Sequence, residues 1–396
     1  MARRLLTLQV QSVRENSIWD RQMSLKDADI ISFPFFLPVV LATPAAEKRA
    51  GLAPLIATAK EQDLIADQYI VKFKEGSSPH TIDEAITSIT SEAHHVFQHV
   101  FRGFAGKFDQ STIDLLRSHP DVEYIERDAV VRVNAFVSQT DAPWGLGRVS
   151  HIALGSTTYV IDTGVDATNP EFEGRATLLK SFVPGEDTDD SDIWCKVLYD
   201  DGAGSTSDTI AGMEYVASDT QTLSCPYGTV VNMSFGVNTF SNSSNQAAAS
   251  LVSFGLFLSV AAGNSGVDAA NVSPASEPTV CTVGGTNSTD ARVDWSNYGA
   301  VLDIFAPGQD VLSTWLDNTT EVLWGTSMAA PHITGLGAYL LALEGPDSPR
   351  RFARVFKSFL DMTSFPMFHL APLTLLLSTA ILRVERHEPV NKRGGK

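Results

Sequence analysis

Between residues 157 and 343 the sequence alternates short apolar runs with helical patterns, and this alternation limits the possible folds. The apolar runs predict buried strands at 157–162, 196–200, 230–235, 256–262, 280–285 and 301–307. Helical patterns lie between them at 206–219 and 244–255, and a last one follows the turn at 325. Apolar strands that alternate with helices are typical of a parallel sheet covered on both faces. The sequence therefore predicts an α/β fold with functional residues at the carboxyl ends of strands.

Length and composition narrow the class of protein further. A chain of 396 residues exceeds a single hydrophobic core and allows two or three domains. The net charge of −17 argues against a nucleic-acid partner, and we expect a soluble monomer. The three cysteines allow at most one disulfide and have no metal-binding spacing, so they do not decide the compartment.

Both ends of the chain depart from this pattern. Within a leader at 1–66, the stretch 30–46 has the apolar core and small-residue exit of a secretory signal, with a buried apolar segment as the alternative. The tail at 346–396 contains an apolar stretch, 367–382, that is short for a membrane span. We expect a secreted protein with an atypical extension, and a tail anchor is the alternative. Sequons compatible with export occur at Asn242, Asn271, Asn287 and Asn318, and Asn232 heads another inside a predicted strand.

The segment 67–134 predicts a small α+β domain with a ferredoxin-like order of elements. A strand from Gln68 is followed by Ser78 and Pro79, which begin a helix with apolar residues on one face. A second strand, a short helix that stops at Pro120 and a final run of strand residues complete the segment. The pattern changes at residue 135, which we take as the domain boundary.

Three polar residues are expected at the same edge of the α/β sheet. Ser327 follows a glycine turn and begins an apolar helix, where N–H groups and the helix dipole favour developing negative charge. A serine there can be a nucleophile, and an N-capping serine is the alternative. Asp162 ends a strand, where a buried carboxylate can orient a histidine. Asn264 lies in a tight loop, where its amide can donate to an oxyanion.

The stretches around these residues resemble the subtilisin superfamily, and most closely its proteinase K-like branch. The resemblance is carried by YVIDTGVDATNPEFEGR (159–175), SVAAGNSG (259–266) and GTSMAAP (325–331), with further matches at 141–151, 273–286 and 296–308. It implies a serine endopeptidase in which Ser327 is the nucleophile, Asp162 orients the base and Asn264 stabilises the oxyanion. The order of Asp162 before Ser327 agrees with that of subtilisin. We assign 135–345 to an incomplete domain of this type.

The segment 67–134 resembles the inhibitor-type propeptide that precedes such proteases. The resemblance implies that this segment assists folding, plugs the active cleft with its C-terminal end and is cut off near Asn134–Ala135. The expected partners are therefore protein or peptide substrates and the chain's own propeptide.

The histidine that the resemblance requires between Asp162 and Ser327 is missing. The family pattern implies a His-Gly-Thr-His-like motif that opens a helix, whereas no histidine occurs between His151 and His332. No helical pattern lies in this crossover either, although a parallel connection usually contains one. We expect a core role for His332 and no role at the site for His151. We interpret the short crossover as a gene-prediction or splicing error, and we expect the chain to be nearly inactive.

The same resemblance implies that an extended substrate lies between two backbone edges. The residues expected along its path are Gly202, Gly204, Ser234, Phe235 and Gly236, with Ala261, Ala262 and Gly263 around the main side-chain pocket. Small residues favour an apolar pocket of broad selectivity, although Phe235 and Val237 are larger than the branch often has. Ordinary strand-edge backbone is the alternative interpretation.

The resemblance also implies a structural calcium ion. Asp303 and the backbone carbonyl groups of Pro278 and Val280 match the site of this branch, and such oxygen ligands suit calcium. A capped loop aspartate is the alternative.

These inferences predict a secreted, fungal-type precursor of a subtilisin-like serine endopeptidase that is impaired by the missing segment. The first alternative is a non-catalytic relative that binds extended peptides or supplies its propeptide as an inhibitor. The second is a chain that does not reach a unique fold.

Overall fold

The computed structural model describes residues 51–89, 91–133, 136–137, 157–172, 176, 178–183, 194–223, 225–226 and 228–344. The stretch 30–46 and the tail at 346–396, for which a secretory signal and an extension are predicted, lie outside the described residues. Along the described part of the chain, no helix is long and apolar enough to cross a bilayer.

The N-terminal domain is a mainly antiparallel sheet with two short helices. Its elements are β1 (Leu55–Ile56), β2 (Leu64–Phe73), α1 (Pro79–Ser88), β3 (Ala93–Phe97), β4 (Gly103–Lys107), α2 (Gln110–Arg117) and β5 (Val122–Val133). Each helix begins at a capping side chain, since Ser78 accepts a hydrogen bond from the Thr81 amide at 3.1 Å and Asp109 accepts one from the Thr112 amide at 2.8 Å. The sheet order β5-β2-β4-β3 confirms the predicted ferredoxin-like fold.

The second domain is built on a parallel sheet. Its elements in chain order are β6 (Phe136–Val137), β7 (Thr157–Asp162), β8 (Leu178–Ser181), β9 (Trp194–Lys196), β10 (Ala203–Ser205), α3 (Thr206–Asp219), β11 (Thr229–Met233), β12 (Phe235–Gly236), α4 (Asn242–Ser253), β13 (Phe257–Ala261), β14 (Cys281–Thr286), β15 (Ile304–Pro307), β16 (Val311–Trp315), β17 (Thr319–Trp324) and α5 (Thr326–Glu344). The sheet order is β15-β14-β13-β11-β7-β9-β8, and every neighbouring pair is parallel. Its central strands are buried throughout, which confirms the predicted α/β fold.

The helix α5 packs its apolar side chains against the centre of this sheet. Ile333, Leu336 and Leu341 are buried in one cluster with Phe257 of β13. The helix approaches the sheet closely, because a methyl group at Gly337 would lie only 2.6 Å from Cδ1 of Phe257. This packing fixes where the first turn of α5 lies at the carboxyl edge of the sheet.

The strand predicted at 196–200 is wrong in its bounds. The observed strand, β9, ends at Lys196, and the next two amides, of Val197 and Leu198, both donate to the Asp162 carbonyl oxygen at 2.9 and 3.4 Å. Both side chains are fully buried, so the apolar run continues although the ladder stops. The chain then turns at Gly202, whose φ is +77°.

The crossover from β7 to β9 contains β8 but no α-helix among its described residues. That the whole crossover lacks a helix, as the sequence pattern indicates, stays a prediction. Residues 173–175, 177 and 184–193 of the crossover lie outside the described part of the chain.

We expect Gly337→Ala to destabilise the fold, because its methyl group would overlap the ring of Phe257. Overpacking of this kind costs about 1–3 kcal/mol. The matched control is Gly335→Ala in the same helix, where no atom lies within 4 Å of the methyl position. This control should be neutral or stabilise the chain by up to about 1 kcal/mol, since alanine favours a helix. Urea unfolding measures both variants, and equal midpoints would contradict the close packing.

Candidate active site

Ser327 is the second residue of α5 and lies at the carboxyl edge of the sheet. The preceding turn contains Gly325, whose φ of +154° suits glycine. The Ser327 hydroxyl donates to the Ser234 carbonyl oxygen at 2.5 Å, and the Ser234 hydroxyl donates to the Ser327 carbonyl oxygen at 2.9 Å. These reciprocal bonds hold the start of α5 to the segment that follows β11.

Asn264 is fixed by the residue next to Ser327. Its Oδ1 accepts hydrogen bonds from the amide and the hydroxyl of Thr326 at 2.9 and 2.8 Å. The Thr326 hydroxyl in turn accepts from the Gly263 amide at 3.0 Å. Because the oxygen end of the amide is held in this way, the nitrogen end is the part that can donate to a substrate. Thr326 is fully buried and was not singled out by its sequence pattern.

Asp162 ends β7, and the pKa of its carboxyl group is raised. Burial raises its pKa to about 6, and the hydrogen bond from the Thr163 amide and the nearby charge of Lys196 only partly offset this effect. The Lys196 ammonium group donates to the Thr163 carbonyl oxygen at 2.6 Å and to Asp200 at 2.7 Å. A carboxylate with a raised pKa in a cavity is a recognised sign of a functional site.

A cavity of about 600 Å³ lies between Asp162 and Ser327. Asp162, Ser234 and Ser327 form part of its wall. Much of the remaining wall is apolar, and includes Val160, Trp315, Leu323, Met328 and Pro331. The structure therefore brings the predicted acid and the predicted nucleophile to one cavity, and it ties Asn264 to the residue beside the nucleophile.

No described histidine lines this cavity. The Nδ1 atom of His332 is 2.7 Å from the Met328 carbonyl oxygen, one turn earlier in α5, and the ring is buried. This geometry agrees with the core role predicted for His332. The other predicted non-participant, His151, lies outside the described residues.

The strand β5 of the N-terminal domain lies between the two edges predicted to hold substrate. The antiparallel residue pairs are Ala203 with Arg132, Gly204 with Val131 and Ser205 with Val130 on one side, and Phe235 with Val133 and Gly236 with Arg132 on the other. Glycine is needed at Gly204, because a methyl group there would lie 2.6 Å from the Val197 carbonyl oxygen. Gly202 turns the chain into this edge, and Ser234 leads into the other.

The backbone beyond this groove also pairs next to Ser327. The register of β6 with β17 is Val137 with Leu323 and Phe136 with Trp324, and Trp324 precedes Ser327 by three residues. The two strands that flank residues 134 and 135, β5 and β6, therefore both pair with segments close to Ser327.

The expected pocket wall at 261–263 is shaped by a residue that the sequence pattern did not reveal. The side-chain amide of Asn297 donates to the Ala262 carbonyl oxygen at 2.7 Å, and a methyl group at Gly263 would lie 2.4 Å from that amide nitrogen. Ala261 and Ala262 are fully buried. Phe235 and Val237 are buried as well, so their size affects the packing around the groove.

Asp303 lies beside the start of β14. Its Oδ2 atom accepts from the Thr282 amide at 2.8 Å, and the residue is buried. Pro278 and Val280 are in the loop that leads into β14. The described residues contain no cluster of three or more histidine, cysteine or acidic side chains that could bind a metal. A site of one carboxylate and two backbone carbonyl groups is a different arrangement, and its hard oxygen atoms suit calcium.

Comparisons with known proteins place this architecture in a family. Residues 189–364 match the model of the Subtilase family, and residues 68–134 match that of Peptidase inhibitor I9. The Cuticle-degrading protease of Metarhizium anisopliae is 47% identical over 349 residues, which cover 79% of this chain and 89% of that relative. Proteinase R of Parengyodontium album is 45% identical over 336 residues, which cover 76% and 86%.

A solved structure agrees with these matches. The crystal structure of a cold adapted subtilisin-like serine proteinase superposes with a TM-score of 0.50 at 34% identity, and covers 55% of this chain and 92% of that one. The chain belongs to the subtilase family of serine endopeptidases. Its N-terminal domain is an inhibitor-type propeptide, so the chain has the organisation of a protease precursor.

The propeptide also contacts α3 through ionisable side chains. The Nε2 atom of His95 lies 2.8 Å from Asp208, and the Nδ1 atom of His99 lies 2.5 Å from Glu214. Asp128 is buried at the same interface. Burial raises the pKa of Asp128 to about 6, and the nearby Asp208 charge adds to this rise while hydrogen bonds oppose it.

We expect the propeptide to dock more tightly in acid than at neutral pH. Docking raises the pKa of Asp128, so its contribution is full below the ordinary value near 4 and is lost as the pH rises through about 6. Asp128 alone should make the docking equilibrium fall roughly tenfold between about pH 5 and pH 7.5.

Hydrogen exchange of the β10 amides in the full chain measures this docking as a function of pH. The variant Asp128→Asn keeps the side-chain shape and removes its ionisation, so its profile should be flatter. A variant profile that coincides with that of the parent chain would show that Asp128 does not control docking.

Proposed function

We propose that this chain is the secreted precursor of an endopeptidase that cuts peptide bonds through an acyl-enzyme intermediate on Ser327. The observation that carries the proposal is the cavity whose wall contains both Ser327 and Asp162. The bonds between Thr326 and Asn264 support it further, since they position an amide donor beside the serine. The propeptide and the apolar stretch 30–46 support secretion.

In this proposal the Ser327 Oγ atom leaves its bond to Ser234 and attacks the carbonyl carbon of the scissile peptide. Its proton goes to a base that Asp162 orients, and that base then protonates the leaving amine. The Asn264 amide and the Ser327 N–H group donate to the oxyanion. One such donor contributes about 3 kcal/mol of transition-state stabilisation in enzymes of this type.

The chain has no identified histidine that could act as this base. No histidine occurs between His151 and His332, and none of the described histidines lines the cavity. Loss of a triad member lowers the rate by about 10⁴–10⁶-fold. We therefore propose that the chain is nearly inactive and that its crossover has lost a histidine segment. An in-frame stretch that encodes His-Gly-Thr-His between the codons for Ile193 and Trp194 in genomic DNA would support this.

The substrate path follows the strand that occupies the groove in the precursor. An extended peptide would pair with Ala203–Ser205 on one side and with Phe235–Gly236 on the other, as β5 does. We propose that Ala261, Ala262 and Gly263 form the wall of an apolar pocket for the residue before the cut. Cleavage near Asn134–Ala135 would release the propeptide.

A non-catalytic relative that binds peptides is the second candidate. The specific observation in its favour is that β5 pairs with both edges while no described histidine lines the cavity. Such a protein would keep the peptide groove without turnover.

A rescue experiment with a fluorophosphonate probe separates these candidates. We expect little labelling of the full chain and substantial labelling after imidazole is added, because the cavity of about 600 Å³ beside Asp162 can admit a small base. Ser327→Ala should abolish the rescued labelling. Asp162→Asn should reduce it by roughly tenfold or more, because the base is then misoriented. Labelling that imidazole does not change, in chain that is natively folded, favours the non-catalytic candidate.

We also propose that Asp303 and the carbonyl groups of Pro278 and Val280 hold a calcium ion that stabilises the fold. Saturating calcium should raise the Tm by roughly 5–10 °C over chelator-treated protein. Asp303→Asn should remove this difference, whereas Asp317→Asn, at an exposed position, should keep it. An unchanged response of the Asp303→Asn chain to calcium would place the ion elsewhere.

A further inference from the structure

A second cleft lies on the same edge of the sheet as Ser327 but outside the proposed catalytic residues. It has a volume of about 580 Å³ and lies between the loop after β14 and the segments that flank β16 and β17. Trp295 and Trp324 line it, with ring centroids 5.3 Å apart and ring planes tilted by 47°. Both rings are half-buried, so each keeps part of its indole surface towards solvent.

The ring of Trp295 lies close to the backbone at Gly285. A methyl group at Gly285 would lie 3.0 Å from its Cη2 atom, which is tighter than ordinary contact, so this glycine leaves room for the ring. Asp294 and Gln309 supply hydrogen-bonding groups along the same cleft. Aromatic faces next to such polar groups suit a sugar ring, whose CH face is apolar and whose hydroxyl groups form hydrogen bonds.

Asn287 lines this cleft and heads the sequon Asn-Ser-Thr. Its Oδ1 atom accepts from the amide and the hydroxyl of Thr289 at 3.0 and 2.8 Å, and from the Ala291 amide at 3.1 Å. Among the described residues, none accepts a hydrogen bond from its Nδ2 atom. Thr289 is exposed and Asn287 is half-exposed, so the folded chain presents the whole motif to solvent.

The other sequons are presented differently. In those headed by Asn232, Asn242 and Asn271 the hydroxyl residue is buried in the fold, and these residues are Ser234, Ser244 and Ser273. The sequon at Asn318 is exposed and provides an internal comparison.

We propose that Asn287 carries an N-linked glycan whose first N-acetylglucosamine packs against Trp295 and Trp324. In the transfer, the Asn287 Nδ2 atom forms a bond to the anomeric carbon of a lipid-pyrophosphate-linked oligosaccharide. The bond from that carbon to the pyrophosphate oxygen breaks, the pyrophosphate leaves with the electron pair, and the amide proton passes to a base of the transferase. This inference rests on the secretion included in the proposed function.

The full chain is produced in a eukaryotic host in two forms, with its native leader and with a heterologous secretory signal. Both forms carry a reporter sequon in a C-terminal tag. Glycopeptide mass spectrometry should find Asn287 occupied wherever the reporter is occupied. If the reporter is unmodified only in the native-leader form, the result contradicts secretion by that leader, and the heterologous form then decides the proposal about Asn287. An occupied reporter with an unmodified Asn287 in the heterologous form overturns the proposal.

The contact with the tryptophans is tested by removing the glycan in two steps. An endoglycosidase leaves one N-acetylglucosamine on Asn287 and should not change the Tm, whereas a peptide-N-glycosidase, which converts Asn287 to Asp, should lower it by about 2–4 °C. Asn287→Asp should match the fully deglycosylated chain, because it keeps the Oδ1 acceptor without the sugar. Asn318→Asp should leave the Tm unchanged.

The variant Trp324→Ser separates the attachment of the glycan to Asn287 from the packing of its first sugar against the tryptophans. This variant should keep the glycan but lose the Tm difference between the trimmed and the fully deglycosylated chains. A difference that persists in Trp324→Ser, or a Tm that falls already on trimming, shows that the first sugar is not held by the tryptophans.

Discussion

The packing of α5 on the parallel sheet is the interaction on which the candidate site depends. Gly337 brings the helix into contact with Phe257, so its first turn has one position relative to the strand ends. At that turn, Thr326 bonds to Asn264 and fixes the amide next to Ser327. Ser327 and the Asn264 amide, the proposed nucleophile and oxyanion donor, are therefore both positioned by the packing of α5 on the sheet.

The cavity between Asp162 and Ser327 lies beside the start of the crossover from β7 to β9, since Thr163 also lines it. A parallel connection normally places a helix over the sheet face, but the described residues between β7 and β9 supply only β8 and one 3-10 turn, Pro170–Phe172. Pro331 and Gly335 on α5 line this cavity and are exposed, although the helix is apolar along its length. Asp162 and Ser327 both line this cavity, and burial raises the pKa of the Asp162 carboxyl group to about 6.

The sequence predicted most of the fold because the strands of a parallel sheet are continuous apolar runs, and because Gly325 and Asp162 mark ends of elements. It failed at Val197 and Leu198, where burial continues after the ladder stops. Hairpin strands β16 and β17 were missed because their alternating polar residues resemble a loop. Thr326 and Asn297 were missed for a further reason: each acts on a segment distant in sequence, and local patterns do not report such contacts.

The insertion of β5 between β10 and β12 has a kinetic consequence. Since the propeptide is covalently continuous with the domain it blocks, it competes for the groove at an effective concentration on the order of millimolar. A peptide from solution must displace β5 from the groove before it can react. A chain that does not sever its own linker is therefore shielded from external peptides, whereas small reagents that enter the cavity without pairing along the groove do not compete with β5.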